Sequence, residues 1–176
     1  LSVAASIEGV VCYTHTQKGN EYVRSVNAVV GETNGGKLNK ITQMHVTPEM
    51  VMEAIAKADS GVVEQGNVGA GTGTICFGYK GGIGTSSRVL PASMGGYTIG
   101  VLVQSNYGGV LEIDGVQVGR KLNQYDFRNH VKKTENVDGS CMMVVVTDAP
   151  LDSRNLERLA MRAMMGLAKT GGIASN

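Results

Sequence analysis

The distribution of apolar and polar positions divides the chain into a small set of predicted elements. Residues 1–13 and 22–30 carry Val3, Ile7, Val10, Val11, Val26, Val29 and Val30, separated by the turn-prone Gln17-Lys18-Gly19-Asn20. Their β-branched content predicts core segments, strand or partly helical. Thr47-Pro48-Glu49 places a capping hydroxyl, a proline at the first helical position and an acid in the first turn. Val51, Ala54, Ile55 and Ala58 then recur at helical spacing, which predicts a short helix ending near Gly61.

Further on, apolar runs predict strands at about 86–91, 97–105, 110–118 and 141–147. The last, Cys141-Met-Met-Val-Val-Val-Thr147, is nearly continuous and predicts a strand covered on both faces. After Pro150, Asp152 or Ser153 can cap a helix whose Leu156, Leu159, Ala160, Ala163, Met164 and Leu167 form one apolar stripe. Gly171-Gly172 stops it. Residues 120–139 mix both charges, including Lys121, Asp126, Arg128, Lys132, Lys133, Glu135 and Asp138, without a period. They read as a surface loop rather than a nucleic-acid patch.

Between these elements lies Gly66-Asn-Val-Gly-Ala-Gly-Thr-Gly-Thr-Ile-Cys-Phe-Gly-Tyr-Lys-Gly-Gly-Ile-Gly84, in which eight of nineteen positions are glycine. Ile75, Phe77 and Tyr79 are interleaved, so this is not a flexible linker. Glycine without a repeat predicts a backbone that approaches something closely, a loop and then a strand. Such a loop can offer backbone N–H groups to an oxyanion or a substrate main chain, or it can be a tight turn packed against another strand. A dinucleotide fingerprint fails on spacing and context, because the glycines lead into a strand rather than a helix.

Composition narrows the function classes. The 176 residues are 42% hydrophobic, enough for one domain with a core. A net charge of +1 argues against a phosphate backbone or an anionic membrane as partner. No apolar run reaches the roughly 18 residues of a membrane span. Cys12, Cys76 and Cys141 are odd in number and widely spaced, which predicts buried free thiols rather than disulfides or a zinc ribbon. His15, His45 and His130 stand 30 and 85 residues apart with no ligand spacing, so no metal site is assigned. The chain opens on Leu1 without an initiator methionine, and a longer gene product is expected on that side.

The run from Gly66 to Arg88 resembles the signature of the L-aminopeptidase/D-esterase and β-peptidyl aminopeptidase family. The resemblance continues through Ile99–Gly108 (Ile-Gly-Val-Leu-Val-Gln-Ser-Asn-Tyr-Gly), Asp114–Gly119, Val144–Leu151 and the helix around Arg158. It implies a four-layer α/β/β/α sandwich similar to N-terminal-nucleophile hydrolases, with different strand connectivity. It also implies a precursor that cuts itself before a serine. Residues 1–176 would then form a single-domain fragment, the larger chain, incomplete without a smaller partner chain whose N-terminal serine attacks substrate. The cut would fall soon after the Arg158–Lys169 helix, making Asn176 cleavage-proximal and excluding Ser175 as the nucleophile.

The same resemblance carries roles onto individual residues. A family tyrosine that binds the oxyanion aligns with Phe77, and Tyr79, two residues on along a strand, would substitute from the same face. Asn106 and Asp148 are the candidates for an amide-bearing contributor, although a carboxylate at Asp148 would repel an oxyanion. Recognition of a free ammonium calls for a carboxylate. Gln65 occupies the family's usual glutamate position, Glu64 stands beside it, and Glu32 offers an alternative; Asn67 and Gly71 complete the substrate-binding set. The resemblance requires no cofactor and implies small peptide or aminoacyl amide substrates, a homo-oligomer of processed pairs, and a cytoplasmic or periplasmic location. An inactive structural relative, or a self-cleaving acyltransferase with a threonine nucleophile, stays open as an alternative.

Overall fold

The computed structural model describes residues 2–125, 128 and 139–173. The chain divides into two compact units, Leu1–Glu32 with Gly36–Val63, and Thr33–Gly35 with Glu64–Asn176.

The first unit is built on two helices, α1 (Val3–Thr16) and α2 (Pro48–Ala56). Residues 3–16 form a helix rather than a strand. Val3, Ile7, Val10 and Val11 repeat at three- and four-residue intervals, and that period outweighs their β-branched side chains. Gly9 lets the helices touch, since a Cβ there would lie 2.7 Å from Val51 Cβ and 2.8 Å from the Pro48 carbonyl oxygen. Helix α2 starts as expected: Thr47 Oγ1 accepts from Met50 N–H at 3.4 Å with Pro48 at the first position. It stops earlier than expected, at Ala56, without reaching Gly61. Residues 22–30 form neither strand nor core, and Tyr22 and Val29 are almost fully exposed. Cys12 is exposed too, against the expectation of buried thiols, while Cys76 and Cys141 are half-buried.

The second unit holds an antiparallel sheet in the order β3 (Gly82–Val89), β4 (Thr98–Asn106), β5 (Ser140–Thr147). Gly82 pairs with Ser105 and Val89 with Thr98 on one side of β4; Ile99 pairs with Thr147 and Asn106 with Ser140 on the other. A separate two-residue hairpin, β1 (Ile75–Cys76) and β2 (Tyr79–Lys80), stands at the Asn106 end of β4. Strand β5 is not covered on both faces: Val144 and Val146, on one face by strand alternation, are 46% and 62% exposed. Residues 110–118 are not a strand either. Asp114 and Gly115 both have positive φ, the geometry of a tight Asp-Gly turn, and Ile113 bridges Val116 before a four-residue helix α3 (Val118–Lys121). The predicted surface loop 120–139 begins inside α3, and residues 126, 127 and 129–138 lie outside the described residues.

Helix α4 (Ser153–Lys169) packs on β5. Asp152 caps it by accepting from Asn155 N–H at 2.8 Å. Gly171, at φ 77°, ends it: Gly171 N–H donates to Ala168 O at 3.0 Å and Gly172 N–H to Leu167 O at 3.4 Å. These two bonds make a complete Schellman motif. Of the predicted stripe only Leu159, Ala163 and Leu167 turn inward, and Leu156, Ala160 and Met164 remain exposed. Replacing buried Leu167 by alanine is expected to cost about 2–4 kcal/mol, and Asp152→Ala about 1 kcal/mol. Denaturant unfolding of the full-length protein checks both; equal losses at the two sites would contradict this burial pattern.

Candidate active site

The glycine-rich run folds as a chain of tight backbone contacts. Gly66 forms an isolated bridge with Ile83, its N–H donating to Ile83 O at 2.7 Å and its carbonyl accepting from Ile83 N–H at 3.0 Å. Residues Gly69–Gly73 then make a 3-10 turn. Glycine is required where backbone meets backbone. A Cβ on Gly71 would lie 2.7 Å from Gly66 O, one on Gly82 2.8 Å from Gly66 C, and one on Gly81 2.7 Å from Thr74 Oγ1.

The turn's carbonyls are held by the side chains of its own cap Thr74, of Lys80 on β2 and of Gln104 on β4. Gly71 O accepts from Lys80 Nζ and, at 3.0 Å, from the hydroxyl of fully buried Thr74; Lys80 Nζ also donates to Gly81 O at 2.8 Å. Ala70 O accepts from Gln104 Nε2 at 3.2 Å, and the same nitrogen donates to Thr33 Oγ1 at 2.6 Å. Many N–H groups are equally committed. Gly71 donates to Val68 O at 2.8 Å, Gly81 to Thr74 O at 2.9 Å, and Gly82 to Ser105 Oγ at 3.2 Å. The geometry is that of the packed-turn alternative.

Phe77 and Gly78 are the central pair of the β1–β2 hairpin, with φ 53° and 78°. Both values are positive, as a two-residue primed turn demands. Phe77 and Tyr79 therefore do not share one strand, and the same-face expectation drawn from their spacing fails. Phe77 is buried and donates its N–H to Tyr107 O at 2.8 Å; its ring meets Tyr107 edge-on at 5.2 Å. Tyr79, opposite Cys76, buries its Oη with no hydrogen-bond partner. Buried polar atoms nearly always find one, so this hydroxyl stands out among the described residues.

Asn106 is a clamp. Its Oδ1 accepts from Ile75 N–H at 3.0 Å, and Nδ2 donates to Asn34 O and Ser140 Oγ, each at 3.1 Å. Both amide donors are thereby used. Asp148 sits at the other end of the sheet, where its Oδ1 accepts from Thr98 N–H at 2.7 Å. From Thr98 to Asn106 is about 26 Å at ~3.3 Å per strand residue, so Asp148 is not brought to the turn. Glu64, Gln65 and Asn67 are exposed alongside the Gly66 bridge, and Gln65 Nε2 donates to Thr85 Oγ1 at 3.0 Å. Glu32 is exposed and belongs to the first unit. Asn176, like Ser175 and His130, lies outside the described residues.

Tyr107 links this region to the end of α4, its Oη lying 3.3 Å from Thr170 Oγ1. Burial pushes its phenol above the ordinary range against the opposing pull of the Thr170 bond, and burial raises the Cys141 thiol as well. Sequence reasoning passed over Gln104, Thr74, Lys80, Tyr107 and Ser140. A signal existed for one of them: Gln104 shares a face with Asn106 at the end of a largely apolar strand, and two buried amides there need partners. Among the described residues no group of three or more His, Cys, Asp or Glu could hold a metal ion, and no helix is long and apolar enough to cross a membrane.

Solved structures match this chain over nearly its whole length. A structure from Pyrococcus horikoshii OT3 matches with TM-score 0.84 and 42% identity, covering 99% of this chain and 48% of that one. The L-aminopeptidase D-Ala-esterase/amidase of Ochrobactrum anthropi, described as a prototype for the serine aminopeptidases and a new variant of the Ntn hydrolase fold, matches with TM-score 0.80. It is 33% identical, over 99% of this chain and 47% of its own. The fold class is thus α/β, of the N-terminal-nucleophile-hydrolase-like kind.

Within that class the chain belongs to peptidase family S58, which it matches over residues 1–176. The β-peptidyl aminopeptidase BapA of Sphingosinicella microcystinivorans is 43% identical over 159 residues, 84% of this chain and 40% of that protein. The chain therefore spans about two fifths of this curated relative and about half of the solved ones.

Close packing at the turn predicts an asymmetry among its glycines. Gly81→Ala drives a methyl into Thr74 and is expected to cost about 1–3 kcal/mol. A Cβ on Gly84 meets nothing within 4 Å, so Gly84→Ala is expected to be neutral or slightly stabilising. Thermal midpoints of the two full-length variants decide the matter; similar midpoints would refute the packed turn.

Proposed function

We propose that this chain is the larger chain of a self-processed serine aminopeptidase. It releases N-terminal amino acids from small peptides, aminoacyl amides or esters through an acyl-enzyme on the N-terminal serine of a smaller partner chain. Family membership and the names of the relatives support the reaction class. The observation that carries the site is the buried, unpartnered Tyr79 hydroxyl on the hairpin that follows the glycine turn.

In the proposed reaction the serine hydroxyl adds to the substrate carbonyl carbon, and its proton passes to a neighbouring base such as the serine's own α-amino group. Charge builds on the carbonyl oxygen. Tyr79 Oη donates to it, and because the tyrosine is already desolvated the bond strengthens as that charge develops. Collapse expels the amine, which leaves with a proton, and water hydrolyses the acyl-serine. Asn106 serves as a positioning residue, fixing Ile75 at the start of the hairpin that bears Tyr79. A carboxylate, Glu64, receives the substrate ammonium. Gly71 shapes the wall, Asn67 flanks it, no cofactor takes part, and processed pairs assemble as a homo-oligomer.

One observation favours an inactive structural relative instead. Phe77 fills a turn position and packs on Tyr107, and much of the loop's N–H inventory is spent internally. Tyr79→Phe in the processed full-length enzyme separates the readings. The aminopeptidase reading expects kcat on a β- or α-aminoacyl amide to fall on the order of 100-fold with KM little changed. Unaltered kcat would remove Tyr79 from the chemistry, and absence of any hydrolysis by the wild-type enzyme would favour the inactive relative.

A further inference from the structure

The segment leaving α4 is fastened more tightly than helix termination requires. Its Schellman motif is complete at Gly172, yet three further backbone bonds tie the same residues to 108–112. Val110 N–H donates to Gly171 O at 3.0 Å, Glu112 N–H to Thr170 O at 2.8 Å, and Ile173 N–H to Gly108 O at 3.1 Å. Gly109 and Gly172 face each other as an antiparallel bridge.

The crossing leaves no room for side chains. A Cβ on Gly109 would run into Gly171 O, and one on Gly171 into Val110 O; one on Gly172 would lie 2.9 Å from the Tyr107 ring and 3.1 Å from Leu167 Cδ1. Gly109 has φ 140° and Gly171 φ 77°, so both also hold conformations that side-chain-bearing residues avoid. Tyr107 joins the crossing to the hairpin: its hydroxyl meets Thr170, its ring meets Phe77, and its carbonyl accepts from Phe77 N–H. The path from the Tyr79 hairpin to Ile173 is thus one continuous set of short contacts.

We propose that the Gly109–Gly171–Gly172 crossing is a positioning device for self-cleavage, fixing the exit of the chain from α4 relative to the Tyr79 hairpin. The proposal rests on the self-processing reading. In that step the serine hydroxyl oxygen bonds to the carbonyl carbon of the residue before it, the C–N bond breaks, and the hydroxyl proton ends on the freed amine. Water then hydrolyses the ester, leaving a carboxylate and restoring the hydroxyl. Both groups belong to one chain before the cut, so holding the upstream arm still is what raises their chance of alignment.

The test follows cleavage of newly made full-length precursor by intact mass for wild type, Gly109→Ala and Tyr107→Phe. Wild type is expected to split. Gly109→Ala is expected to slow by on the order of 100-fold, the scale of an ångström-sized misplacement, with a smaller slowing for Tyr107→Phe. The same Gly109→Ala chain, co-expressed with a separately encoded smaller chain, is expected to give aminopeptidase activity like wild type. Cleavage of Gly109→Ala at the wild-type rate overturns the proposal, and so does an inactive co-expressed pair, which would make the crossing a folding requirement. A wild-type precursor that never splits removes the self-processing reading itself, a pattern distinct from either.

Discussion

Carbonyl oxygens of the glycine turn receive hydrogen bonds from Thr74, which caps the turn itself, and from Lys80 and Gln104, which reach it from β2 and β4. This convergence depends on main chain lying against main chain, which only glycine at Gly71, Gly81 and Gly82 allows. The end of β4 is built to receive it. Gln104 and Asn106 are buried amides whose N–H groups bond to Ala70, Thr33, Asn34 and Ser140, so a polar seam stands where an apolar core is usual. Such a seam tolerates few arrangements, because every group left unpaired costs about 1–3 kcal/mol. It fixes the hairpin that carries Tyr79 more narrowly than apolar packing would.

Much of this organisation was legible in the sequence, and the misses have physical causes. The Thr47-Pro48 start of α2, the Asp152 cap and Gly171 stop of α4, and strands β4 and β5 follow local rules that tertiary context did not override. Residues 3–16 were obscured because β-branched content and helical spacing pointed different ways, and spacing prevailed. Asp114-Gly115 was overlooked inside an apolar run although it is a strong turn signal. Phe77-Gly78 shows a harder case: nothing in an Ile-Cys-Phe-Gly-Tyr run announces that its phenylalanine holds φ 53°. Tertiary contacts with Tyr107 supply the compensation, and they join residues thirty apart in sequence.

The candidate site was less legible than the fold, because a residue's type does not reveal how its donors are spent. Asn106 and Asp148 were both candidates for an amide-bearing contributor; Asn106 spends its donors on Asn34 and Ser140, and Asp148 stands at the far end of β4. Tyr79 was reached by an alignment argument whose geometric premise failed, yet its hydroxyl is the buried polar atom without a partner among the described residues.

Burial and rigidity then bear on chemistry together. A hydroxyl already stripped of water loses no further hydration when it meets a developing negative charge, so its bond contributes more to the transition state than to the ground state. That advantage survives only if the hydroxyl stays where the charge appears. The Asn106 clamp holds the first residue of the hairpin, the Phe77–Tyr107 contact holds its turn, and Lys80 fastens its last strand to the glycine turn. Each restraint acts through a different pair of elements, so loosening any one leaves the other two in place. The proposed oxyanion donor thus sits on a hairpin held by three separate contacts, one from the polar seam, one aromatic and one from a lysine.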